Sequence, residues 1–86
     1  MFTPKGYQNI TDLSSADSLT VPTGATRARI KCTTQAVRWR DDGTSPTTTV
    51  GMPLAVGEEL IYDGDLSAIE FIEETASAGL HVSYYG

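Results

Sequence analysis

Residues 37–54, VRWRDDGTSPTTTVGMPL, decide how this chain is read. Val37 and Trp39 alternate with Arg38 and Arg40, so a half-buried strand points two apolar side chains inward and two guanidinium groups outward. Asp41-Asp42-Gly43-Thr44-Ser45-Pro46 interrupts it with residues that suit turn conformations. Thr47-Thr48-Thr49-Val50 is β-branched throughout, which crowds a helix and suits a pleated surface. The expectation is a β-hairpin whose return strand begins in this threonine run.

On either side the chain repeats the theme of short extended runs separated by turns. Ser18-Leu19-Thr20-Val21 predicts a strand stopped by Pro22-Thr23-Gly24. From Ala25 to Thr34 the alternation is clear: Ala28, Ile30 and Cys32 share one face, Arg27, Arg29 and Lys31 the other. Leu60-Ile61-Tyr62 predicts a strand closed by Asp63-Gly64-Asp65. Leu66 to Glu73 can be read as strand or helix; the preceding turn and the Ile69, Phe71, Ile72 set favour strand. Leu80, Val82 and Tyr84 then alternate with His81, Ser83 and Tyr85. Six to eight short antiparallel strands without a long helix predict an all-β protein, a small jelly-roll-like β-sandwich over residues 18–86.

Residues 1–17 read as an N-terminal arm, because Thr3-Pro4-Lys5-Gly6 disfavours regular structure. Tyr7, Ile10 and Leu13 recur every third residue and offer apolar anchors to a neighbouring subunit; a frayed terminus is the plainer reading.

With 86 residues, the chain is one domain near the lower limit of independent stability. Its single cysteine, Cys32, excludes an internal disulfide, so nothing staples the core and self-association becomes the expectation, a trimer among the candidates. No apolar run is long enough to span a bilayer and no secretory signal opens the chain, so synthesis in a cytoplasm and no membrane association are expected.

Charge is unevenly placed. All six basic residues precede Asp41, whereas nine of the eleven acids follow Arg40. Arg27, Arg29, Lys31, Arg38 and Arg40 would line two consecutive strands and repel one another unless acids face them. Glu70, Glu73 and Glu74 could do so within the chain; Asp41, Asp42, Glu58, Glu59, Asp63 and Asp65 could do so from a second copy. The candidate interface set is therefore Tyr7, Ile10, Leu13, Arg27, Arg29, Arg38, Arg40, Asp41 and Asp42, against the plain alternative of a solvated, screened surface.

Other chemistry finds less support. A basic strip beside Trp39 suggests nucleic acid, but Trp39 keeps phase with inward-facing Val37 and the chain carries a net charge of −5. The acidic turns carry oxygen ligands without the spacing of an EF-hand loop, and Asp-Gly is common turn chemistry. Cys32 sits on an apolar face and His81, the single histidine, on an outward one, neither within a triad pattern. No enzyme, metal or other cofactor is expected.

VRWRDDGTSPTTTVGMPL, followed by GEEL, YDGDLSAIEFI and LHVSYY, resembles a small β-protein encoded among the virion genes of tailed bacteriophages and prophages, over about Leu19 to Tyr85. The resemblance implies a non-enzymatic virion protein, with capsid decoration or cementing as the leading role. It would be made in the host bacterial cytoplasm and would meet the major capsid protein or other virion proteins. The alternative is a tail or fibre module that binds a host surface glycan through Tyr7, Tyr62, Tyr84 or Tyr85.

Overall fold

A computed structural model describes residues 2–86. Eight strands follow in order: β1 (Pro4–Ile10), β2 (Asp17–Ser18), β3 (Arg27–Thr33), β4 (Val37–Arg40), β5 (Met52–Leu54), β6 (Glu59–Tyr62), β7 (Glu70–Glu73) and β8 (Gly79–Tyr85). They form two antiparallel four-stranded sheets, ordered β1-β8-β3-β6 and β2-β7-β4-β5. The pairs β1·β8, β2·β7, β3·β6 and β4·β5 are successive rungs of one long hairpin, dealt alternately to the two sheets. Contacts β3·β8 and β4·β7 then close each sheet. That order is a jelly roll, as the run of short strands predicts.

Alternation explains which side chains enter the core. Ala28, Ile30 and Cys32 of β3 and Leu80 and Val82 of β8 have no exposed surface, and Tyr84 is buried beside them. Val37 and Phe71 meet them from the second sheet, with Ile69 from the segment just ahead of β7. One inner face per sheet is what a two-layer sandwich requires.

The N-terminal segment departs from expectation. Pro4–Ile10 is a full strand, paired with β8 from Pro4 opposite Tyr85 to Ile10 opposite Leu80. Ile10 is 5% exposed and Leu13 fully buried, so both anchor their own sandwich instead of reaching a neighbour. The boundary placed after residue 17 falls inside the fold. A register shift between Pro4 and Gly6 breaks the strand's alternation, which is why its periodicity is hidden in the sequence.

The central hairpin forms, but with a different return strand. Val37, Arg38 and Trp39 stand opposite Leu54, Pro53 and Met52. The threonine run stays in the loop because its own groups satisfy it: Thr47 N–H donates to the Val50 carbonyl at 2.9 Å, and Thr47 Oγ1 accepts from Val50 N–H at 3.0 Å. Gly51 ends the loop at φ 148°, where a Cβ would lie 3.2 Å from the Trp39 carbonyl oxygen. Pro53 costs no ladder bond because β5 is an edge strand. Two further strands are shorter than expected. β2 stops at Ser18, where the Gln8 side chain takes over by accepting from Thr20 N–H at 3.0 Å. β7 begins at Glu70 because residues 65–68 turn on the Asp65 carboxylate, which accepts from the Ser67 N–H and hydroxyl.

Charge placement also differs. β3 and β4 belong to different sheets, so Arg27, Arg29 and Lys31 do not share a surface with Arg38 and Arg40. The repulsion anticipated between neighbouring basic strands does not arise.

Candidate functional site

The outward phase of the first sheet brings distant residues into rows. Tyr7, Ser83, Arg29 and Ile61 lie side by side across β1, β8, β3 and β6. Asn9, His81, Lys31 and Glu59 form the next row. Tyr85 faces Arg27 in a third. Two shallow hollows of about 350 and 290 Å³ open on this surface and meet at Arg29 and Tyr85, which line both.

Hydrogen bonds hold the face in shape. Arg29 donates from Nε and Nη2 to Glu59 Oε1, both at 2.9 Å, and this carboxylate raises the guanidinium pKa, with a smaller contribution from the Tyr85 hydroxyl. Ser83 Oγ donates to the Tyr85 hydroxyl at 3.2 Å; that bond, and then Arg29, lowers the phenol pKa. The Tyr7 hydroxyl is hydrogen-bonded to His81 Nδ1, with the rings 6.0 Å apart. Arg27 lies over the Phe2 ring, 4.5 Å from its centroid.

Despite these bonds the face is not closed off. Phe2, Tyr7 and Ile61 are 53, 63 and 47% exposed, half of the large hydrophobic side chains found exposed among the described residues. Three cations and one carboxylate occupy the face, whereas the remaining chain has three cations and ten carboxylates. Aromatic rings and arginines on a rigid support, with carboxylates scarce, is the composition of protein contact surfaces.

Of the nine candidate interface residues, the structure brings Tyr7, Arg27 and Arg29 together here. Ile10 and Leu13 are in the core. The other four support the 41–51 loop. Arg38 donates to the Thr48 carbonyl at 3.2 Å and the Gly51 carbonyl at 3.0 Å, with Glu74 3.7 Å away. Arg40 makes a two-pronged ion pair with Asp42, which lowers the Asp42 pKa. Asp41 accepts from the Tyr62 hydroxyl at 2.7 Å. The face also recruits Phe2, Lys31, Ile61, His81 and Tyr85, outside that set. Lys31 and Tyr85 could have been found from the outward phase of their strands. Ile61 could not, since Leu60-Ile61-Tyr62 is apolar throughout.

Elsewhere the polar groups serve the fold. Cys32 Sγ donates to the Gln35 carbonyl at 3.0 Å, and burial raises its pKa, so the thiol stays protonated. Tyr62 and Tyr84 are 7 and 1% exposed, leaving Tyr7 and Tyr85 as the tyrosines available to a ligand. Burial raises the pKa of both buried phenols to about 12, with Asp41 adding to it at Tyr62. No group of three or more His, Cys, Asp or Glu among the described residues is placed to share a metal ion. No protein-family profile, curated protein or solved structure matches this chain.

Proposed function

We propose that this chain is a non-enzymatic structural protein of a tailed-phage particle, acting in multiple copies to decorate and brace the head shell. The observation that carries the reading is the outer face of the first sheet. A domain of 86 residues leaves Phe2, Tyr7 and Ile61 in water around a cluster of cations, on strands too well paired to fold over them. Such a surface gains stability when a protein partner covers it. The likeness of residues 37–54 and of the closing LHVSYY to small virion-associated β-proteins supplies the setting: synthesis in the host bacterium and assembly beside the major capsid protein.

The competing reading, a tail or fibre module for a host glycan, rests on Tyr7 and Tyr85 beside their hollow. Labelled copies in electron micrographs of purified particles separate the two. Copies spread over the head support decoration; copies confined to the tail tip support recognition; particles lacking the chain contradict both.

A further inference from the structure

We propose that the outer face of the first sheet is where copies of this chain meet, and that each face receives the Asp63-Gly64-Asp65 turn of a second copy. The inference rests on the reading of that face as a protein contact and names its occupant.

The face lacks carboxylates. Among the described residues Arg29 has Glu59, while Arg27 and Lys31 have no carboxylate within ion-pair distance. The acid surplus lies elsewhere on the same chain, where two of the three remaining cations, Arg38 and Arg40, are already paired. Asp63 is exposed and engages no group among the described residues, and Asp65 is occupied locally by Ser67. A second copy therefore carries what the face is short of.

Position and shape point the same way. Ala28 stands opposite Tyr62, so the antiparallel register carries Asp63 to the level of Arg27, just past the end of edge strand β6. Asp63 thus stands at the edge of the face, level with its own Arg27 but outside ion-pair distance of it, and a two-fold axis near that edge would set it against the cations of the facing copy. Gly64 keeps the turn folded tightly onto Tyr62, whose hydroxyl Asp41 fixes: a Cβ at Gly64 would come within 2.5 Å of that hydroxyl oxygen. A turn already held in place loses little freedom on docking. Phe2, Tyr7 and Ile61 would surround the ion pairs and exclude water from them. A nucleic acid is the poorer occupant, because the acid surplus on the remaining surface repels a polyanion.

Charge reversal on each side, followed by mixing, tests this directly. Sedimentation of the full chain in about 0.05 M salt, where screening is weak, should show an associated species that loosens as salt rises tenfold. The double variant Arg27→Glu with Lys31→Glu and the single variant Asp63→Lys should each weaken association by about ten-fold or more, with circular dichroism unchanged and with melting unchanged at dilutions where the wild-type chain is also monomeric. In an equimolar mixture every contact is complementary again, so association should return. A wild-type monomer at every salt concentration, variants that associate normally, or a mixture that stays dissociated would each overturn the inference. A wild-type monomer that still labels phage heads would do so while leaving the structural role standing.

Discussion

Arg27 stands over the Phe2 ring, its guanidinium carbon 4.5 Å from the ring centroid, and so ties the start of the chain to β3. Phe2 is half exposed, and such a contact contributes only about 0.5–1 kcal/mol to the single chain. Phe2→Ala should therefore weaken self-association several-fold, since it removes an apolar wall of the contact, while leaving the melting temperature nearly unchanged at dilutions where the chain is monomeric. Melting of dilute samples and sedimentation of concentrated ones check the two halves.

Leu13 is fully buried between the sheets, although the sequence around it reads as a loose arm. Leu13→Ala should cost about 2–5 kcal/mol in urea unfolding, a large share of the stability of so small a domain. A cost near zero would return the segment to the role of an arm.

The hydroxyl of Thr34 donates to the carbonyl of Ser77, joining the β3–β4 turn to the β7–β8 turn. Both residues have positive φ, 67° and 76°, where an L side chain is strained. The Ser77 side chain makes no hydrogen bond among the described residues, so Ser77→Gly should relieve strain and stabilise by up to about 1 kcal/mol. Thr34→Ala keeps the strain and loses the bond, so it should destabilise by about 1 kcal/mol. Opposite shifts in thermal unfolding are the signature.

Tyr62 and Tyr84 hold their protons to a pKa of about 12, against 10 for a free phenol. The folded chain then binds more protons than the unfolded chain above pH 10. Their contribution is present in full below pH 10 and is lost as pH rises towards 12. Tyr85, half-buried and shifted downwards, opposes this weakly. Unfolding free energy measured from pH 8 to 11.5 should fall by an amount on the order of 2 kcal/mol above pH 10. Tyr84→Phe should flatten the fall but also loses the hydroxyl's 2.7 Å bond to Gln8 Oε1, so its stability at pH 8 is the reference for its own curve.

The parts of the fold legible in the sequence are those with one face in the core and one in water. Ala28, Ile30 and Cys32 and then Leu80, Val82 and Tyr84 announce themselves by period two, and the structure buries every one. β1 hides because its register shifts near Lys5 and because the outward residues after the shift, Tyr7 and Asn9, are neither charged nor evenly apolar. The threonine run misleads because its hydroxyls and amides close on one another in a loop, a local choice that β-propensity does not weigh. The candidate face is hidden for a different reason. Tyr7, Arg29, Ile61 and Ser83 become neighbours only because β8 lies between β1 and β3, and strand order is set by the whole roll and not by any one segment.

Copy number in purified particles tests the central claim most directly. Particles grown with the wild-type chain should carry many copies on the head, and particles grown with a folded Tyr7→Asp, Ile61→Asp double variant should carry few or none. Particles without the wild-type chain, or with the double variant incorporated as fully as the wild type, would contradict it.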